Sequence, residues 1–132
     1  MYFIVNICTS FGLVMAKTWK DNDISLDPIK DQIIAVIGYG IQGDAQANNM
    51  KDSGLNVIIG LKEGGKSWKK AEADGHKVMS VADATKQGDI IHILIPDMIQ
   101  GKIYKDEIEP NLSDGKALSF SHAAAIYWKW IE

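Results

Sequence analysis

A chain of 132 residues with 14 basic and 17 acidic side chains, net charge −3, is long enough for one domain with its own core and short for a complete dehydrogenase. Hydrophobic residues at 46% and charged residues at 23% match an ordinary globular protein, and a sequence pI near 5.6 excludes the basic footprint of a nucleic-acid binder. A single cysteine, Cys8, excludes an internal disulfide, fits a reducing compartment and is expected to be a small apolar filler.

Residues 1–14, MYFIVNICTSFGLV, are apolar throughout. They lack the basic start of a signal peptide and the arginines of a transit peptide, and they are too short to span a bilayer. We expect an extension upstream of a functional start at Met15. That leaves residues 15–132 as a cytoplasmic domain with no membrane contact.

From Gln32 onward, short apolar runs alternate with helix-like stretches. Ile33 to Ile37 is a β-branched run that reads as a strand buried on both faces. A glycine-rich turn, Gly38 to Gly43, leads into an alanine-containing polar helix, Asp44 to Ser53, closed by Gly54. A second strand is expected over Leu55 to Ile59 and a short helix over Ser67 to Asp74. Val78 and Met79 form a brief third strand. Ser80 with Asp83 three residues on is a capping-box pattern that opens the next helix. Ile90 to Ile95 is the fourth strand, and Asp97 with Gln100 predicts another capped helix running toward Glu107. Pro110 and the Asp114-Gly115 turn precede a fifth strand, Ala117 to Phe120, with a further helix after it. Strands alternating with helices in this way predict an α/β fold with a doubly wound, mainly parallel sheet. The stop soon after the fifth strand suggests a domain truncated before further structure.

The turn Gly38-Tyr39-Gly40-Ile41-Gln42-Gly43 carries the chemistry. Gly38 allows the tight turn, Gly40 lets a pyrophosphate approach the backbone, and Gly43 lets the helix pack on the strand. The helix start then offers free N–H groups and the positive end of its dipole to phosphate. A GxGxxG pattern alone is weak evidence. Strand, glycines, helix and second strand in order within one βαβ unit give it the context of a Rossmann NAD(P)-binding fold.

The end of the second strand bears on which dinucleotide is bound, because NAD-binding domains usually place an acidic residue there. Here it reads Gly60-Leu61-Lys62, then Glu63-Gly64-Gly65-Lys66-Ser67. Lys62, Lys66 and Ser67 favour a 2′-phosphate and hence NADPH. Glu63, able to accept from a bare ribose hydroxyl, keeps NADH open.

The segments VIGYGIQGDAQA, GLKEGGKSWKKAEADGHKVM, ILIPDMIQ, YKDEIEPNL and ALSFSH, in that order, resemble the ketol-acid reductoisomerases, also called acetohydroxyacid isomeroreductases. The likeness covers roughly Lys17 to His122. It implies an enzyme of branched-chain amino-acid biosynthesis that isomerises a 2-acetohydroxyacid with magnesium and reduces the product with NADPH. It also implies a following helical domain that binds Mg2+ and supplies much of the substrate pocket, so that this chain alone binds cofactor without turnover, and a homo-oligomer for the whole protein. By the same resemblance Tyr39, Gly40, Ile41 and Gln42 contact the pyrophosphate, while Lys62 and Ser67 lie near the 2′-phosphate. Pro96, Asp97 and Gln100 line the nicotinamide and ribose side, and His122 is the catalytic histidine beside substrate and nicotinamide. Three positions depart from the family pattern. Asp44 stands where histidine is frequent, Gly65 where serine is frequent, and Ala123-Ala124-Ala125 replaces Gly-Phe-Asn.

Among the remaining residues, His92 lies in an apolar strand and is expected to be buried and hydrogen-bonded, and His76 is expected to be solvated in a turn. Trp68 is expected either beside the adenosine or on the sheet, with Trp128 and Trp130 exposed. Asp106, Glu107 and Glu109 read as a solvated helix end, so no metal site is expected. Two alternatives stay open: an NAD(P)-sensing regulatory domain, and an inactive fragment of another Rossmann-fold reductase such as a β-hydroxyacid dehydrogenase.

Overall fold

The computed structural model of the chain describes residues 19–131; the apolar segment 1–14, Cys8 and the expected start at Met15 lie outside the described residues. Five strands form one sheet: β1 (Ile33–Ile37), β2 (Asn56–Gly60), β3 (Lys77–Met79), β4 (Ile90–Ile93) and β5 (Ala117–Phe120). Their order is β3-β2-β1-β4-β5 and every pairing is parallel. The doubly wound α/β sheet expected from the alternation is therefore present.

The connecting helices are α1 (Ile41–Asp52), α2 (Lys66–Ala73), α3 (Val81–Gln87), α4 (Asp97–Ile103) and α5 (Ala124–Tyr127). A π-helical turn, Tyr104–Ile108, and a 3-10 turn, Glu109–Asn111, extend α4. Because strand side chains alternate between faces, β1 supplies both cores. Ile34 and Val36 pack with Ala47 of α1 and Ala71 of α2, while Ala35 and Ile37 pack with Val81 and Ala84 of α3 and with Tyr104 and Ile108. Burial on both faces is why this strand reads as an unbroken apolar run. The sheet's lower edge is tied by Asp89, whose carboxylate accepts from the Ile33 N–H at 2.8 Å.

Several boundaries differ from the sequence expectation. Helix α1 begins at Ile41, not Asp44, because the second half of the glycine turn is already its first turn. Strand β4 stops at Ile93, and the chain peels away over Leu94 and Ile95 while the Leu94 N–H still reaches the Ile37 carbonyl at 2.8 Å. The Ser80 cap forms as expected, accepting from the Asp83 N–H at 3.1 Å. The Asp97 cap does not. Pro96, with φ −55°, takes the capping position, and Asp97 falls inside the helix with its side chain used elsewhere. Among the described residues no helix is long and apolar enough to cross a membrane.

Helix α5 ends in a Schellman turn, with Lys129 N–H to Ile126 O at 3.1 Å and Trp130 N–H to Ala125 O at 2.8 Å. The left-handed position of that motif favours glycine, yet Lys129 occupies it at φ 55°. An L-residue there costs about 1 kcal/mol. Lys129→Gly should therefore raise stability by about 0.5–1 kcal/mol, net of glycine's larger unfolded-state entropy. A urea titration should show a higher midpoint at an unchanged slope; a lower midpoint would show that the lysine side chain contributes more than its backbone costs.

Candidate functional site

In an open parallel sheet, ligands bind at the carboxyl ends of the strands where the strand order reverses. Here that point lies between β1 and β4, flanked by β2. A cleft of about 550 Å³ opens there, lined after β1 by Gly38–Gln42, after β2 by Leu61 and Lys62, and after β4 by Leu94–Pro96. Gly65, Lys66, Ser67 and Trp68 close its far side.

The three glycines of the turn do three different things. Gly38 sits at φ +103°, and a Cβ there would meet Ile95 Cγ2 at 2.9 Å. At Gly43 a Cβ would overlap the Gly38 carbonyl oxygen and come within 2.9 Å of its carbon, so glycine is what lets α1 start directly against the strand end. Gly40 is the opposite case: a Cβ there meets nothing within 4 Å. The open space it leaves is part of the cleft. Gly40 is also the N-cap of α1, and no side chain caps it. The N–H groups of a helix's first turn have no internal partner, so they remain for a ligand.

Of the predicted site residues, Gly38, Tyr39, Gly40, Ile41, Gln42, Lys62, Ser67 and Pro96 line this cleft. Gly43 lies beneath it. Tyr39 turns its phenol inward, 3% exposed, where its hydroxyl donates to Asp74 at 2.9 Å and accepts from the Asn48 amide at 3.0 Å. Asp97, Gln100 and His122 are brought together beside the cleft, outside its lining. The Asp97 carboxylate receives His122 Nδ1 at 3.0 Å on one oxygen and the Gln100 amide at 3.1 Å on the other. Gln100 also donates to the Ile95 carbonyl at 2.9 Å, and its own oxygen is buried without a partner among the described residues.

Charge around the cleft is unevenly paired. Asp44, on the first turn of α1, is turned away from the cleft and binds Lys70; that contact is the main cause holding its carboxyl below the usual carboxylate range. Lys62 and Lys66 have no carboxylate partner among the described residues. Glu63 is exposed and absent from the cleft lining.

Two histidines sit on either flank of α1. His76, expected to be solvated, is buried at 7% exposure. Asn48 holds its Nε2 at 3.0 Å and the Tyr39 ring meets it edge-on at 5.5 Å. The Gly75 turn folds back beneath Tyr39, so His76 is buried where the composition of this short polar loop predicts exposure. His92 is hydrogen-bonded, as expected, to Ser119 at 2.9 Å and Gln46 at 2.8 Å, but it is half-buried, not buried. Sequence reasoning missed the apolar cleft walls Leu61, Leu94 and Ile95, whose signal was an apolar residue just past a strand end. It also missed Asn48 and Gln46, whose contacts are too distant in sequence for any local pattern to show. Trp68 lines the cleft and donates its Nε1–H to Glu72 at 2.9 Å, while Trp128 and Trp130 are exposed as expected. Among the described residues no group of three or more His, Cys, Asp or Glu side chains could hold a metal ion.

A family model for the NADPH-binding domain of acetohydroxy acid isomeroreductase matches residues 28–132. The ketol-acid reductoisomerase (NADP(+)) of Nitrosopumilus maritimus is 92% identical over 118 residues, covering 89% of this chain and 36% of that protein. The corresponding protein of Methanocaldococcus jannaschii is 57% identical over 117 residues, again covering 89% and 36%. Among solved structures, an NADH-preferring ketol-acid reductoisomerase from an uncultured archean superposes with a TM-score of 0.81 at 50% identity, over 85% of this chain and 35% of that one. The chain thus spans about 36% of the length of the curated relatives it matches.

The glycines predict a dissociation of stability from binding. Gly43→Ala should destabilise the chain by about 1–3 kcal/mol through overpacking against Gly38, seen as a lower melting temperature. Gly40→Ala should leave melting nearly unchanged yet abolish dinucleotide binding in calorimetry. Equal effects of both on melting would refute the division of labour.

The histidines set the pH response. Burial first, then the Lys51 ammonium, holds His76 below its ordinary value, and burial does the same for His92. Both are therefore favoured neutral in the folded chain, while the unfolded chain takes up protons as pH falls through about 6.5. Their contribution is complete above that pH and is lost as pH drops below it. Melting temperature should hold steady from pH 8 to 7 and fall toward pH 5, with a shallower fall in a His76→Gln/His92→Gln double variant; an equal fall in that variant would count against the assignment.

Proposed function

The chain belongs to the acetohydroxy acid isomeroreductase family through its NADPH-binding domain, and from that premise we propose that residues 15–132 form the cofactor-holding part of a ketol-acid reductoisomerase. The observation that carries this reading is the cleft itself. An uncapped helix start faces an open glycine on one side, and on the other stand two lysines with no carboxylate partner among the described residues. That donor set fits a dinucleotide with a phosphate at each end of its adenosine half.

The N–H groups at the start of α1, beside Gly40, Ile41 and Gln42, take the pyrophosphate. Lys62 and Ser67 take the 2′-phosphate, with Lys66 adding charge. Leu61, Leu94 and Ile95 form apolar walls that keep water from the bound cofactor. Pro96, Asp97 and Gln100 frame the nicotinamide side. NADPH, when bound, supplies the hydride that reduces the isomerised substrate. Asp97 accepts from Nδ1 of His122, which fixes the ring's tautomer and leaves Nε2 to meet substrate or nicotinamide.

Isomerisation and reduction of a 2-acetohydroxyacid belong, in this reading, to the whole protein. The chain spans about 36% of the length of its curated relatives, and in this reading the magnesium ligands and much of the substrate pocket belong to the remainder, the chain alone binding cofactor without turnover. Homo-oligomerisation is part of the same reading. The single cysteine supports a reducing, cytoplasmic setting. In this reading NADPH is favoured over NADH because Glu63 stands outside the cleft while Lys62 and Lys66 line it with no carboxylate partner among the described residues.

Calorimetric titration should show NADPH binding at least about tenfold more tightly than NADH. A charge-assisted hydrogen bond is worth about 1.5–3 kcal/mol, and 1.4 kcal/mol is tenfold in affinity. Lys62→Gln should therefore weaken NADPH by about tenfold and leave NADH within about twofold. Equal loss for both cofactors would remove Lys62 from the 2′-phosphate, and no binding of either by the folded chain would overturn the reading.

A further inference from the structure

The flank of α1 opposite Asn48 carries a second chain of hydrogen bonds, which the cofactor site does not use. His92, on β4, has Ser119 Oγ 2.9 Å from Nδ1 and Gln46 Oε1 2.8 Å from Nε2. The Gln46 amide nitrogen lies 3.0 Å from Ser121 Oγ and 3.2 Å from Gln42 Oε1, and Ser121 Oγ is also 3.2 Å from Gln46 Oε1. With its oxygen toward His92 and its nitrogen toward Gln42, Gln46 makes His92 the Nε2–H tautomer. The remaining ring nitrogen then accepts from the Ser119 hydroxyl.

Gln46 therefore touches three elements at once. Gln42 belongs to the turn that lines the cleft, His92 to the sheet, and Ser121 to the loop that leaves β5. The partners are distant in sequence, 75 residues separating Gln46 from Ser121. The loop itself is poorly buried, since Ser121, His122 and Ala123 are all exposed. Among the described residues its side-chain ties are two: His122 to Asp97 from the α4 side, and Ser121 to Gln46 from the α1 side. Remove the second, and an exposed loop is held from one side only.

We propose that Gln46 is a positioning residue, holding the loop that carries His122 against the helix that begins at the cofactor turn. The proposal rests on the reading that His122 stands beside the bound cofactor. It gives that reading a mechanical basis, because one amide links the helix that receives the pyrophosphate to the loop that presents the histidine.

The test uses the whole 132-residue chain labelled with ¹⁵N. Gln46→Leu and Ser121→Ala should each loosen the amides of residues 121–123 on the fast timescale, with order parameters falling from about 0.85 to below about 0.6. Ser121→Ala alters an exposed side chain and leaves the His92–Gln46 contact in place, so its melting temperature should equal that of the wild type. It decides the matter alone if Gln46→Leu fails to fold. Unchanged order in either folded variant overturns the proposal. Adding NADPH separates it from the reading beneath it. The His122 ring signals should shift on titration in the wild type and at least about twofold less in the variants. If the wild-type ring does not respond at all, His122 is not on the cofactor side, and that failure is independent of the loop-order result.

Discussion

The approach of α1 to the end of β1 is limited by the Gly38 carbonyl, which leaves no room for a side chain at position 43. That contact fixes where the helix begins and along which line it leaves the sheet. A helix of twelve residues concentrates the positive end of its dipole, and its unpartnered N–H groups, within the first turn. Starting it directly at the strand end delivers those donors to the place where β1 and β4 part. Were α1 displaced by the width of a methyl group, the cleft would keep its walls and lose the alignment of these donors. The open space at Gly40 and the closed space at Gly43 are two consequences of one packing constraint.

A helix whose buried surface consists of Gly43 and Ala47 has little apolar area to hold it, since burial contributes roughly 25 cal/mol per Å². Polar ties on its flanks supply the rest of its placement. Toward α2, Asn48 joins Tyr39, His76 and the Asp44 backbone, and Lys51 caps the carbonyls of Asp74 and Gly75 at 2.9 and 3.0 Å. Toward β4 and β5, Gln46 joins His92 and Ser121. Buried groups left unpaired cost about 1–3 kcal/mol each, so each flank accepts only one arrangement well. The His76 Nδ1 is the exception, buried without a partner among the described residues, so protonating that ring would leave a buried N–H unpaired.

The order of strands and helices was readable because each local signal agreed with the global one. The β-branched run of β1, the glycines of the turn and the Ser80–Asp83 cap all specify the same βαβ layout. What escaped was of two kinds. Boundaries moved where one residue serves two elements, as at Ile41, which is both turn and helix, and at Leu94, which still bonds the sheet after leaving it. Side-chain destinations escaped wherever the partner is remote. Nothing near His76 announces Asn48, and nothing near Asp97 announces that His122 will claim its carboxylate in place of a helix cap. The resemblance to known sequences grouped Asp97, Gln100 and His122, but the hydrogen bonds joining them needed coordinates.

The same distinction governs how a lysine-rich loop should be judged. Most such loops are solvated, and their charges attract nothing in particular. Here the neighbouring cations differ in their commitments: Lys70 is neutralised by Asp44, Lys51 holds two carbonyls, and Lys62 and Lys66 at the cleft wall have no carboxylate partner among the described residues. A phosphate seated between Lys62 and Lys66 would gain from both charges. At 4 Å a unit pair is worth about 1 kcal/mol in water and about 4 kcal/mol at the dielectric typical of a protein surface. A 2′-phosphate carries up to about two negative charges, while a ribose hydroxyl carries none. The half-buried Ser67 and the apolar walls of Leu61 and Ile95 move the site away from the fully solvated limit. Gly65, which brings no side chain, removes a donor without removing that field. On the proposed reading, a preference for the phosphorylated cofactor rests on charge left without a carboxylate partner among the described residues, a field that salt screens.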